Sequence, residues 1–430
     1  MIPLCNSFHL RPVAKRDTRL FAASPPIAQA QRASGFSLLS LAGAFKYFVL
    51  PLFFVLFLTA ASSQSKNKII TGAEQMDVLL PMLQNKSVAL MVNHTAVIGQ
   101  THLVDSLQRS KINIKKIFSP EHGFRGTADA GEKVGNATDA ITGLPIISLY
   151  GNNKKPTPEQ LADVDVLIFD IQDVGARFYT YISSMHYLME ACAEQGKKLI
   201  VLDRPNPNGW YVDGPVLQPE QKSFVGMHPI PIVHGLTVGE LAQMINGEGW
   251  LADGKKCDLQ IIALKNYNHK KKYSLLVKPS PNLPNDHAVA LYPSLCLFEG
   301  TVMSVGRGTK TPFEIVGHPS LKTMPFKFKP VGVDGMAKNP LYENKVCYGT
   351  DLRKEKIDDQ LSLNYLIKFY HQFPDKDKEK FFTPYFDKLA GNSILKEQIK
   401  KGMSEEEIRD TWKKELNEYK SIRKKYLLYP

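Results

Sequence analysis

No G-x-G-x-x-G follows the first apolar run of this chain, and "GRGT" at 306–309 is too short to cradle a phosphate. That argues against a dinucleotide site on any sheet the chain builds. No H-E-x-x-H or comparable spacing occurs, which counts against a bound metal. Cysteine is scarce, with 5 in 430 residues, and only Cys192, Cys257, Cys296 and Cys347 lie beyond residue 63. None of the four makes a C-x-x-C pair or a zinc spacing, so they read as separate core thiols or as one disulfide between some pair. Internal repeats, low-complexity tracts and nucleic-acid motifs are all missing. The uncharged apolar stretch 47–61 has 15 residues, whereas a spanning helix needs about 18 or more.

Beyond these absences, the first 63 residues stand apart. Arg11, Lys15, Arg16, Arg19, Arg32 and Lys46 face one acid, Asp17, and precede the apolar stretch and then small residues. That pattern describes a secretory signal and implies an exported, periplasmic protein. The competing readings are an uncleaved membrane anchor and a start assigned too far upstream. No cysteine closely follows the stretch, so a lipoprotein anchor is not expected. Removing six bases and one acid takes the net charge from +12 to +7. Much of the remaining charge lies in a tail of mixed sign from Lys396, read as a solvated amphipathic helix. A nucleic-acid partner is not expected. A basic surface suits an anionic polymer outside the cytoplasm.

Apolar runs then alternate with helical patterns. Strands are expected at 87–93, 114–119, 144–150, 164–171 and 197–203, with helices at 97–110, 157–164 and 180–196. Thr157 and Pro158 open the second helix, and Gly196 closes the third. Such alternation means an α/β fold with a parallel sheet covered on both faces. The Pro- and Gly-rich remainder, 281–430, reads as a smaller α+β domain after a sheet domain at 64–280, with helices near 361–372 and 394–425.

Open α/β sheets bind ligands beyond the carboxyl ends of their strands. Here those ends carry Asn93, His94 and Thr95; Glu121, His122 and Arg125; Asp170, Gln172, Asp173, Arg177 and Tyr179; and Asp203, Arg204, Asn206 and Asn208. Four strand ends delivering polar groups to one sheet edge make a site; any one alone is a surface loop. Glu121, screened by Pro120 and Phe124, is the first choice for a general acid with a raised pKa. Asp170 and Asp173 read either as a second acid or base, or as a helix cap and a partner of Arg177. Asp203 beside Arg204 reads as an ion pair, and "NPNG" as a turn. His94 and His122 read as groups that orient a carboxylate or bond a sugar hydroxyl. His228 and His234 precede a helix on which Thr237 and Glu240 have capping-box spacing, making Glu240 a cap. Glu299 reads either as a second carboxylate or as an ion-pair partner of Arg307.

Taken together, "SPEHGFRGTADAGEKV", "DIQDVGARFYTYISSM", "LDRPNPNG", "DGPVL", "IPIVHGLTVGELA" and "LYPSLCLFEGT" with "SVGRGT", "PFE" and "GHP" resemble the DUF1343, or YbbC-like, family. That family is associated with exo-β-N-acetylmuramidases of the NamZ type, glycoside hydrolase family 171. The resemblance runs from about residue 68 to the C-terminus. It implies a Rossmann-like domain followed by a smaller C-terminal domain, with the active site in the cleft between them. It also implies release of N-acetylmuramic acid from the non-reducing end of peptide-free peptidoglycan chains, without a cofactor, and a catalytic role for Glu121. Muramic acid carries a lactyl carboxylate, for which Arg125, Arg177, Arg204 and Arg307 are the candidate readers. The second catalytic group is left among Asp170, Asp173, Glu299 and the substrate's own acetamido group. Two other classes remain: a non-catalytic binder of wall sugars, and a metal-dependent amidase or esterase.

Overall fold

The computed structural model describes residues 68–121, 123–125, 136–151 and 153–430; the leader read at 1–63 and the candidate His122 lie outside the described residues. The central sheet has seven strands: β1 Ser87–Val92, β2 Asn113–Ser119, β3 Ala137–Thr138, β4 Pro145–Ser148, β5 Val166–Asp170, β6 Lys198–Leu202 and β7 Asp258–Ile262. Their order is β7-β6-β5-β1-β2-β4-β3. All neighbours are parallel except β3, which runs antiparallel to β4.

Period-two alternation sorts the side chains. Val88, Leu90, Val92, Val166, Ile168, Ile200 and Leu202 share one buried cluster with Leu79, Leu83, Leu103 and Leu107, so helices α1 Met76–Leu83 and α2 Leu103–Arg109 cover that face. Ala89, Met91, Leu167, Phe169, Leu199 and Val201 join Ile182, Met185, Leu188, Leu241 and Ile245 on the other face, under α3 Tyr181–Gln195 and α4 Val238–Gly247. Full burial of a Leu, Val or Phe side chain is worth about 1.5–3 kcal/mol. A sheet covered on both faces therefore needs apolar residues at every strand position, which is why "VLIF" reads as a continuous run.

The later residues are of mixed α and β type. Ile315–His318, Cys347–Asp351 and Phe326–Phe328 form an antiparallel sheet with Cys347–Asp351 in the middle. Helices Asn364–Gln372, Ile394–Lys400 and Glu405–Arg423 follow.

Several expected signals hold. Thr157 and Thr237 each close a capping box, and Gly196 ends α3 at φ 59°. Two expected helices differ. The span 97–110 begins as a small hairpin, Val97–Ile98 against Thr101–His102, turned by Gly99 at φ 59°, before α2 starts. The tail breaks at Gly402, φ 76°, and restarts with a capping box at Ser404. All four cysteines beyond residue 63 are buried and free, and Cys192 lies against Cys257.

The sheet order sets the location of the site. The chain moves outward from β1 to β2 and β4, then returns to the other side of β1 with β5 and continues to β7. The direction reverses between β1 and β5, and such switch points open a crevice at the strand carboxyl ends.

Candidate active site

Beyond β2, Pro120 ends the strand and its carbonyl accepts the Gly123 N–H at 3.2 Å. Gly123 has φ 74°, a conformation that favours glycine. This turn carries Glu121 into the wall of a cavity of about 220 Å³. Tyr150 donates to Glu121 Oε1 at 3.1 Å and Thr180 to Oε2 at 3.2 Å. Thr180 is the residue before α3, yet its side chain makes no cap bond to its own helix. Burial, and after it the Glu121 carboxylate, pushes the Tyr150 phenol up to about 12. Tyr150 therefore remains a neutral donor at physiological pH.

Tyr179 and Tyr181 also line the cavity, their rings edge to face at 5.0 Å. Later residues, Tyr292, Glu299, Arg307, Phe313 and Tyr385, complete the lining. Arg307 Nε donates to Glu299 Oε1 at 2.5 Å, and its guanidinium lies 5.1 Å from the Phe313 ring centre. Burial first, and then Cys296, Glu299 and Glu121, push the Tyr385 phenol up. That phenol thus senses both cavity carboxylates.

Glu121, Tyr179, Glu299 and Arg307 are the sequence candidates that the structure brings to this cavity. The other described candidates lie outside its lining. Asp170 is fully buried at the end of β5 and holds Arg204 through both oxygens, at 2.5 and 2.8 Å. Arg204 thus pairs across neighbouring strand ends, and not with Asp203. Asp203 instead accepts from Thr237 at 2.8 Å, Gly239 N–H at 2.8 Å and Tyr429 at 2.5 Å.

Asp173 accepts the Gly175 N–H at 2.7 Å and lies 3.4 Å from His234 Nε2; it neither caps α3 nor meets Arg177. Gln172 donates to the carbonyls of Asp173 and Pro205. Asn206 donates to Leu236 and accepts the Asn208 N–H, fixing the expected turn. Asn93 accepts from Thr95 N–H and hydroxyl. His94 Nε2 meets the Lys278 carbonyl at 2.8 Å. Arg177 is fully buried and donates to the carbonyls of Pro215, Ile230, Leu389 and Ala390, with burial pushing its pKa down to about 9.

Arg125 forks onto Asp139 at 2.9 and 2.8 Å. That guanidinium above all, with Thr142, holds the Asp139 carboxyl down at about 2. An unfolded Asp titrates near about 3.9. The pair's stabilisation is therefore complete above about pH 4 and declines as pH falls toward 2. Urea unfolding of wild type and Asp139→Asn is expected to differ at pH 6 and to converge near pH 2. A gap of constant size across that range would refute the linkage.

Among the wall residues that were not sequence candidates are Tyr150, Thr180 and Tyr385. Tyr150 closes the apolar run of β4, so the strand-end rule applied to that run finds it. Thr180 sits between two tyrosines of a motif already singled out. Tyr385 follows no strand and had no sequence signal.

Among the described residues no group of three or more His, Cys, Asp or Glu is placed to hold a metal ion, and no helix is long and apolar enough to cross a membrane.

The chain matches two family models, described as the N-terminal part of exo-β-N-acetylmuramidase NamZ over residues 88–287 and its C-terminal part over 290–429. It is 40% identical over 402 residues to the peptidoglycan β-N-acetylmuramidase NamZ of Bacillus subtilis (strain 168), spanning 86% of this chain and 95% of that protein. A DUF1343 family protein of Bacteroides fragilis NCTC 9343 has a similar crystal structure, with TM-score 0.78 and 48% identity over 84% of this chain and 99% of that one. A second DUF1343 protein from the same strain gives TM-score 0.71 and 31% identity over 85% of this chain and 100% of that one. This α/β chain belongs to the NamZ exo-β-N-acetylmuramidase family.

Proposed function

We infer that the chain is a glycoside hydrolase that releases N-acetylmuramic acid from the ends of peptidoglycan glycans, with Glu121 as the proton donor. One observation carries this: the Glu of the S-P-E-H-G motif lies in the wall of a cavity of about 220 Å³, with a hydroxyl on each of its oxygens. The family's exo-β-N-acetylmuramidase members support exo action.

Protonation of the glycosidic oxygen by Glu121 lets the C1–O bond break, and charge develops on the sugar ring. The other face of the ring needs a base, a nucleophile or an internal neighbour. Glu299 is the second carboxylate among the described wall residues, and it is already bonded to Arg307. The substrate's acetamido oxygen is the alternative. A Glu299→Gln variant separates them: a loss beyond about 10³-fold fits direct participation, and a far smaller one fits the acetamido route.

The finer reading is peptide-free substrate, attack at the non-reducing end, and export by residues 1–63. Division into 64–280 and 281–430 belongs to it too, with residues of both spans lining the cavity. The first test is turnover of a chromogenic β-N-acetylmuramide beside the β-N-acetylglucosaminide. Cleavage of the muramide alone, unaffected by EDTA, is the expected result. Binding without turnover would mean a sugar-binding cleft, and loss in EDTA a metal enzyme. Cell fractionation tests export.

A further inference from the structure

Among the described residues lining the Glu121 cavity, Arg307 is the one cation. A guanidinium has two forked edges, each able to match a carboxylate. Glu299 takes Arg307 through Nε at 2.5 Å. The guanidinium carbon lies over the Phe313 ring, 5.1 Å from its centre. Neither Nη nitrogen hydrogen-bonds to a described residue, and neither is sealed from solvent. Arg125, Arg177 and Arg204, in contrast, are engaged by Asp139, by backbone carbonyls and by Asp170. Among the described residues, the cavity therefore offers one positioned cation with an outer edge available, beside the proton donor of a muramidase.

We propose that the Nη1–Nη2 edge of Arg307 reads the free lactyl carboxylate of the terminal N-acetylmuramic acid, with Glu299 and Phe313 holding the guanidinium in place. This rests on the muramidase reading of the same cavity. Stem peptides attach through that carboxylate as an amide. An amide carries no charge, offers one acceptor, and turns an N–H toward the cation. The same contact that selects muramic acid over glucosamine thus excludes peptide-bearing ends. Arg307 acts on specificity, and its effect falls on ground state and transition state together, so it is expected mainly in KM.

The test compares an aryl β-N-acetylmuramide, its lactyl carboxamide and the aryl β-N-acetylglucosaminide. Each is measured with wild type, Arg307→Lys and Arg307→Ala. Wild type is expected to favour the free acid over the carboxamide by about 10²-fold in kcat/KM, since charge-assisted bidentate contacts are the strong ones. In Arg307→Ala that gap is expected to shrink to a few-fold, through loss on the acid and not on the carboxamide. Arg307→Lys is expected to keep part of it, because charge remains and the fork does not. The wild-type comparison needs no variant to fold. Equal turnover of acid and carboxamide by wild type would overturn the proposal while leaving the muramidase reading intact. So would Arg307→Ala lowering both substrates equally, the mark of a merely structural role. No turnover of any muramide by wild type would overturn the muramidase reading, and the proposal with it.

Discussion

Replacing Glu121 by glutamine is expected to lower kcat on an N-acetylmuramyl-N-acetylglucosamine disaccharide by about 10²–10⁴-fold, the usual contribution of a positioned acid. Glutamine keeps the shape and one carbonyl acceptor. Of the two hydroxyls that meet Glu121, from Tyr150 and Thr180, one can keep donating to that carbonyl and the other can turn to accept from the new amide. Folding and KM should therefore change little, and the loss should fall on kcat. An aryl glycoside with an acidic leaving group needs less protonation, so its loss should be smaller than that of the disaccharide. Parallel kinetics on the two substrates check this. A disaccharide rate within a few-fold of wild type would remove Glu121 from the chemistry.

The second large effect is on stability. Arg177→Met is expected to destabilise the protein by several kcal/mol, with Arg177→Lys intermediate. The guanidinium bonds Pro215 and Ile230 on one side and Leu389 and Ala390 on the other, and no carboxylate faces it. It ties the turn after β5 to residues more than 200 positions later. Ile230 keeps a second donor in the Leu217 N–H, but each carbonyl left buried and unpaired costs about 1–3 kcal/mol. Lysine has the charge but cannot span two pairs of carbonyls with a planar fork. Gly391 supports the arrangement: a Cβ there would sit 2.4 Å from Arg177 Nη2. Against a typical total of about 5–15 kcal/mol, this variant should unfold at much lower urea. A midpoint unchanged from wild type would contradict the assignment.

These residues also show what a sequence discloses. Buried parallel strands are apolar at every position, so β1, β5 and β6 could be read directly. The hairpin at 97–102 was hidden because "VIG" and "HLV" fit a helical period, and only the left-handed Gly99 separates them. At the site, the strand-end rule singled out Glu121, which lines the cavity. It could not say which polar groups already had partners. Arg125, Arg177 and Arg204 were candidates beside Arg307, with Arg177 in a motif as dense, but Asp139, four carbonyls and Asp170 claim them through folding over separations of 14 to 213 residues. Charge and spacing are local, whereas satisfaction of a buried donor is a tertiary property. Tyr385 reaches the wall only through packing of the later residues, which no periodicity announces.

The most direct measurement follows the products from a defined glycan with N-acetylmuramic acid at its non-reducing end and a label at its reducing end. An exo-muramidase should remove that sugar and stop, because the newly exposed end is N-acetylglucosamine. One equivalent of free N-acetylmuramic acid, with the labelled chain shorter by a single residue, is the expected result. A ladder of internal fragments, or continued shortening past the first sugar, would contradict an exo-muramidase centred on Glu121.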